Sequence, residues 1–252
     1  EGPRVEDVVV RGGQGGEGNR EEGAVLLRRR LVSSSSPAFR VTWEAGLAHH
    51  LKAMSRAKGT PPGPGGGGPK LVIALVGPPG AGKSTSAGAL VECLREAGVT
   101  AKTLPMDGYH IPLANLPADD VYWRGAARTF DVRSLASDLA RLRAGGTGGA
   151  GMAFPGFDHA AADPVAAKHQ YEGEEVVIVE GLYLLLPDWN LSFDYGVYID
   201  EPIDVCLARL KVRNREIPGL EDVDARVEEV DRANAVVVEG CKGRADCVVK
   251  RA

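Results

Sequence analysis

Apolar positions in this chain follow two rhythms. Leu71 to Val76 is an unbroken apolar run, the pattern of a strand buried on both faces. Ala87, Leu90, Val91 and Leu94 then recur at i, i+3, i+4 and i+7, which predicts an amphipathic helix with Gly98 at its C-terminal cap. Thr100 to Met106 reads as a second strand. Leu135, Leu139 and Leu142 mark a helix closed by Gly145 and Gly146. Val176 to Val179 and Tyr195 to Ile199 are two more buried strands. Pro202 opens a helix through Leu207 and Leu210, Val223, Val227 and Val230 mark another, and Cys247 to Val249 is a last short strand. Strands separated by helices predict an α/β fold, a mostly parallel five-stranded sheet with helices on both faces.

Before Leu71 the pattern weakens. Residues 1–36 mix glycine and charge and offer no periodic apolar face, so they are expected to remain a disordered or targeting-like extension. Residues 37–69 are expected to hold an edge helix, Phe39 to Lys58 with Val41, Ala45, Ala48 and Leu51 on one face, followed by the Gly/Pro-rich linker Gly59 to Pro69. The folded domain is then 70–252. Gly145 to Glu175 reads as one long loop, a length uncommon unless the segment is functional or disordered.

Composition narrows the function classes. Glycine, 33 of 252 residues, runs well above its usual share, in keeping with looping segments. The net charge of −4 and the lack of a basic aromatic stripe argue against nucleic acid as a partner. Cys93, Cys206, Cys241 and Cys247 show no CxxC spacing, which argues against a disulfide scaffold or zinc module. No apolar run approaches the length that crosses a bilayer, so no membrane role is expected. A cytoplasmic location is the default. The Arg- and Ser-rich segment Ala24 to Ser36 keeps a plastid or mitochondrial alternative open, against the acidic residues Glu1, Glu6, Asp7, Glu17, Glu21 and Glu22 upstream of it.

Chemistry concentrates at the end of the first buried strand. Gly77-Pro78-Pro79-Gly80-Ala81-Gly82-Lys83-Ser84 matches G-x-x-x-x-G-K-[ST], with a strand before it and a helix after it. Glycines let backbone N–H groups turn toward phosphate oxygens, and the helix N-terminus adds its positive dipole end. Lys83 supplies a point charge for the β- and γ-phosphates. The Ser84 hydroxyl can ligate Mg²⁺, and Thr85 completes the nucleotide-binding stretch. Asp107 and Glu180 each close a buried strand just before a glycine. In open α/β sheets ligands bind beyond the carboxyl ends of the strands, so either carboxylate can serve as base or metal ligand, or simply cap its turn. Asp131 reads first as the N-cap of the helix that carries Leu135. Arg209, Arg213 and Arg215 form either a phosphate-covering lid, Arg213 foremost, or a solvated basic face.

These motifs, taken in order, resemble a family. Gly77 to Thr85, Met106-Asp-Gly-Tyr-His110, Arg124 to Asp131, Phe154-Pro-Gly-Phe-Asp-His159 with Asp163-Pro164, and Val179-Glu-Gly-Leu-Tyr183 are similar to those of the phosphoribulokinase/uridine kinase group of P-loop kinases. The likeness is greatest to the pantothenate-kinase-like and fructose-kinase-like branch and covers about Lys70 to Lys250. It implies a P-loop NTPase fold with a lid, ATP and Mg²⁺ as cofactors, and a small-molecule alcohol as phosphoryl acceptor. By that resemblance Asp107 is the candidate base, Lys83 and Arg213 stabilise charge in catalysis, and Ser84 and Glu180 serve the metal. Asp107, Tyr109, His110, Arg124, Asp158, His159 and Tyr183 are the candidate acceptor residues. Two positions depart from the branch pattern: Ala127 and Arg128 stand where Pro and Glu are usual, which reverses a charge and leaves the acceptor open among nucleoside, pantothenate, sugar and glycerate. The rival functions are a P-loop ATPase without an acceptor and a nucleotide-binding regulator. A homodimer is compatible with the sequence but not indicated by it.

Overall fold

A computed structural model of the chain describes residues 7–11, 24–27, 43–59, 68–145, 151–216 and 222–250. In chain order these form β1 (Asp7–Arg11), β2 (Ala24–Leu27), α1 (Trp43–Ala57), β3 (Leu71–Val76), α2 (Lys83–Glu96), β4 (Ala101–Pro105), α3 (Ala118–Val121) and α4 (Val132–Ala144). There follow β5 (Met152–Asp158), β6 (Asp163–Tyr171), β7 (Val176–Gly181), β8 (Tyr195–Asp200), α5 (Ile203–Asn214), α6 (Val223–Arg226), α7 (Arg232–Glu239) and β9 (Cys247–Lys250).

The sheet runs β2-β1-β9-β8-β3-β7-β4. Its five strands from β9 to β4 are parallel, at the positions expected from the apolar runs. β3 lies at the centre of these five, with every residue buried. Leu71, Ile73 and Leu75 face a core that also holds Leu90, Leu94, Leu47 and Leu51 from α2 and α1. Val72, Ala74 and Val76 face the opposite core, with Leu135, Leu139 and Leu142 of α4 and Val238 of α7. A strand with helices on both sides must be apolar at every position, and this is why the run is continuous rather than alternating.

Four expectations change. Residues 1–36 contribute two strands: β1 pairs antiparallel with β9, and β2 with β1, so the expectation of an unstructured extension does not describe Asp7–Arg11 and Ala24–Leu27. Helix α1 is described from Trp43; of the expected face Ala48 and Leu51 are buried, Ala45 is half-buried and Val41 lies outside the described residues, while Trp43 and Leu47 join the buried face. It packs on α2 as part of the main core. The stretch 151–171 is not loop but an antiparallel hairpin, β5 with β6, irregular between Phe154 and Gly156. β4 stops at Pro105, and Asp107 sits in the 3₁₀ turn Met106–Tyr109 that follows. Most of the predicted linker, residues 60–67, and of the glycine-rich insert, 146–150, lies outside the described residues.

That hairpin is seated on the turn bearing Asp107. A Cβ placed on Gly108 would stand 2.5 Å from the Pro155 carbonyl oxygen and 2.9 Å from the Gly156 nitrogen. The two backbones approach as closely as they do because residue 108 has no side chain.

Candidate active site

The loop between β3 and α2 turns twice through the left-handed region, at Gly80 (φ 83°) and Gly82 (φ 81°). At Gly80 a side chain would also meet the Cys206 carbonyl oxygen of α5 at 2.5 Å. The loop therefore folds into a cradle that only glycine permits at this position. Gly80, Gly82, Lys83, Ser84, Thr85, Arg209, Leu210 and Arg213 line a cavity of 360 Å³ above it. Gly77, Pro78 and Ala81 form its buried underside, and Lys83 Nζ donates to the Pro78 carbonyl at 2.9 Å.

Sheet register explains the second half of the site. Glu180 of β7 is paired with Leu75 at the end of β3 and with Pro105 at the end of β4. This sets its carboxylate beside the P-loop on one side and the Asp107 turn on the other. Ser84 Oγ donates to Glu180 Oε1 at 2.8 Å. Burial pushes the Glu180 carboxyl above its ordinary range, with Lys83 opposing and Asp107 adding to the shift. Burial likewise pushes the Lys83 ammonium below its ordinary value, against the pull of Glu180 and Asp107. Asp107, Lys83, Ser84 and Glu180 thus form one electrostatic unit. A serine hydroxyl touching a buried carboxylate, next to a phosphate cradle, is an oxygen donor set that suits Mg²⁺, which keeps several waters and takes few protein ligands.

The acceptor residues are drawn from three separate stretches. His110 Nδ1 lies 2.9 Å from the Asp107 carbonyl, so that nitrogen carries the proton. Its ring packs on Phe130 (4.0 Å between centroids) and Phe157 (4.9 Å), and burial lowers its pKa. The Arg124 guanidinium donates to the Ile111 carbonyl at 2.9 Å and to Asp163 Oδ1 at 3.0 Å, and lies over the Phe157 ring at 5.9 Å. Its Nε is buried without a partner among the described residues. Asp163 Oδ1 also accepts from the Leu113 N–H at 2.9 Å, which ties the hairpin to the segment after His110.

Other candidates are tied to structure. The fully buried Tyr183 donates its hydroxyl to the Gly125 carbonyl at 2.8 Å, so it supports the 124–131 segment from beneath and presents no hydroxyl to a ligand. Tyr109 donates to Asp138 Oδ2 at 2.9 Å, and its pKa is pushed up by burial. Both tyrosines were expected as acceptor contacts on resemblance; their hydroxyls are engaged within the fold, and Tyr109 also lines a cavity. Asp158 Oδ1 accepts the N–H groups of Ala160 and Ala161 at the hairpin tip, and these bonds lower its pKa. His159, on the same tip, stacks edge-on against Phe157. Asp131 is the N-cap of α4, accepting from Ser134 N–H at 3.0 Å. Arg128, the reversed charge, is spent on the surface against Asp120 and the Trp123 ring. Arg209 pairs with Glu201 and Arg215 with Asp224, whereas Arg213 has no ion pair among the described residues.

Phe157, Phe130 and Asp163 are site-forming residues that sequence reasoning did not single out. All three sat inside quoted motifs, but their partners lie on other segments. A second, larger cavity of 830 Å³ opens between the hairpin and α4, lined by Tyr109, His110, Phe130, Asp131, Ser134 and Asp138 among others, and includes no P-loop residue.

A P-loop cradle, a paired serine and carboxylate, and a second carboxylate in the turn after the neighbouring strand define the class: a P-loop phosphotransferase site built on a parallel sheet. The phosphoribulokinase/uridine kinase family model matches residues 72–252, and the chain belongs to that family and is an ATP-dependent kinase. It is 34% identical over 188 residues to a Schizosaccharomyces pombe protein provisionally named uridine kinase, covering 68% of this chain and 78% of that one. It is 25% identical over 190 residues to the uridine kinase of Proteus mirabilis, covering 71% and 86% respectively. Among solved structures, a Silicibacter protein provisionally named a fructose transport system kinase superposes with TM-score 0.66 at 30% identity, over 78% of this chain and 94% of that one.

Proposed function

We propose that the protein transfers the γ-phosphoryl group of ATP to a hydroxyl of a small, neutral polyol such as a nucleoside or sugar. The observation that carries this is the Ser84–Glu180 contact at 2.8 Å, flanked by Lys83 and by Asp107 on the acceptor side. Ser84 and, through water, Glu180 would hold Mg²⁺, which supplies charge neutralisation on the phosphates. Lys83 and the backbone of Gly80 to Ser84 bind the phosphates. Asp107 takes the proton of the attacking hydroxyl, and Arg213 stabilises charge on the transferring group. His110, Phe130 and Phe157 supply the aromatic wall, and Arg124 fixes the hairpin.

The committed charge of Arg124 supports a neutral acceptor. Its two terminal nitrogens are committed to Ile111 and Asp163, so its charge is already balanced. An acid such as glycerate would need a cation other than Arg124. The names of the relatives, uridine kinase and fructose transport system kinase, both concern neutral polyols. Coupled ADP release with uridine, cytidine, fructose, glycerate and pantothenate tests the proposal. A neutral polyol should raise ADP release well above the acceptor-free rate. Release with the acids alone overturns the acceptor class, and no acceptor-dependent release with any alcohol overturns the kinase assignment of the site.

A further inference from the structure

The acceptor end converges on Arg124. Its guanidinium reaches the Ile111 carbonyl and Asp163 and lies over the Phe157 ring, so one side chain joins three separate stretches. Its aim depends on the backbone beneath it. Residues 122–126 lie in turns between α3 and the 3₁₀ turn Ala127–Thr129, and no helix or strand fixes them. They are fixed from outside instead. Gly125 adopts φ 104°, which a side chain would strain. The carbonyls on either side of its Cα are taken by different elements. That of Gly125 accepts from the buried Tyr183 hydroxyl at 2.8 Å, and that of Arg124 accepts from Arg226 Nη2 at 2.9 Å. Tyr122 adds a third tie, donating to Glu229 Oε2 at 2.6 Å.

Arg226 closes α6, and a π-helical turn, Val227–Asp231, follows it. The side chain is 19% exposed, so it gives up hydration that fixed partners must offset. Nη2 has the Arg124 carbonyl. Nη1 stands 3.9 Å from Asp231 Oδ2, a buried atom with no hydrogen-bond partner among the described residues. Arg226 and Asp231 are five residues apart, the spacing that a π-helical turn closes. The planar fork thus bridges a carboxylate of its own helix and a carbonyl of the acceptor segment. The base of this arm is held as well. Glu228 accepts from Lys211 of α5 at 2.7 Å and from Arg232 at 2.8 Å, and Arg232 also reaches Asp204 in the first turn of α5 at 3.0 Å. Arg226 itself lines neither the cavity over the P-loop nor the larger one.

We propose that Arg226 is a positioning residue: by holding the Arg124 carbonyl from α6 it sets the aim of the Arg124 guanidinium, and through it the acceptor affinity of the site. The proposal rests on the reading of the 106–111 turn, the 124–131 segment and the hairpin as the acceptor end. Coupled ADP release tests it, with whichever of uridine, cytidine and fructose the parent phosphorylates. Arg226→Gln should raise the acceptor KM about tenfold, the scale of one charge-assisted hydrogen bond, with a smaller fall in kcat. ADP affinity, read by calorimetry, should hold. Arg226→Lys keeps the charge facing Asp231 and a single donor, and its KM should lie between parent and glutamine variant; it also serves if the glutamine variant does not fold. On an Arg124→Gln background the Arg226→Gln change should add at most about twofold, because the two act in series. An unchanged acceptor KM, an equal loss of ADP affinity, a lysine variant as impaired as the glutamine one, or the full loss repeated on the Arg124→Gln background each overturn the proposal and leave the acceptor reading standing. A parent that phosphorylates none of the three polyols overturns the acceptor reading and this proposal with it, and that outcome is seen before any variant is made.

Discussion

The two ends of the site are built on different principles. The nucleotide end is one contiguous loop between β3 and α2, held by left-handed glycines and by strands buried on both faces. The acceptor end is assembled from the 106–111 turn, the 124–131 segment and the β5–β6 hairpin, joined by side chains such as Asp163 and by ring packing. The first can bind phosphate with backbone alone and suits any nucleoside triphosphate. The second can be remodelled by changing a hairpin without touching the sheet. One fold can thus keep a single phosphoryl donor while its acceptor changes.

Removing charge from each end should separate them. Lys83→Ala takes away the phosphate-paired ammonium, and turnover should fall by about 10²–10³-fold or more, as for loss of a transition-state donor. ATP affinity, read by calorimetry, should fall as well. Asp107→Asn keeps the shape of the side chain but cannot take a proton. Acceptor-dependent ADP release should fall by about 10²–10⁴-fold, the range for general-base contributions. ATP affinity should stay near parental. Loss of MgATP binding in Asp107→Asn would move that residue to the nucleotide end and leave Glu180 as the better base.

The same contrast governs what could be read from the chain. The five parallel strands were legible because burial on both faces leaves continuous apolar runs, and the P-loop because its residues are adjacent. The hairpin was not legible. Pro155, Gly156 and Pro164 interrupt its strands, and proline inside a run argues against a strand. Here the hairpin is held by docking on Gly108, a contact across the fold. Asp163 and Arg124 meet over a separation of 39 residues, which no local pattern reveals. The face of α1 was legible in Ala48 and Leu51, while the bulk it draws from Trp43 and Leu47 was not singled out. The spacing of Val223, Val227 and Val230 predicts an even helix and hides the widened turn Val227–Asp231.

Gly108→Ala attacks the acceptor end sterically. The added Cβ meets backbone at 2.5–2.9 Å, so the hairpin must move. Overpacking of this kind costs about 1–3 kcal/mol. The acceptor KM should rise while ADP affinity, measured by calorimetry, holds. Equal losses at both ends would show that the hairpin also shapes the P-loop.

Glu180→Gln should give the smallest change in stability, and its sign is informative. Burial raises the folded carboxyl pKa above its unfolded value, so the folded state disfavours the charged form despite Lys83. The carboxyl's contribution is fully present below the unfolded pKa and is lost as pH rises through the folded one. The isosteric amide does not ionise, so the nucleotide-free variant should melt slightly higher than the parent at pH 8. The gain, at most about 1 kcal/mol for a group that keeps one hydrogen bond, should shrink toward zero as pH falls below the ordinary glutamate range. Turnover should nevertheless drop, because the metal-side carboxylate is gone. A variant that melts lower than the parent at every pH would mean that the Ser84 and Lys83 partnerships outweigh burial. The nucleotide end would then owe its rigidity to Glu180 rather than to its glycines and strands.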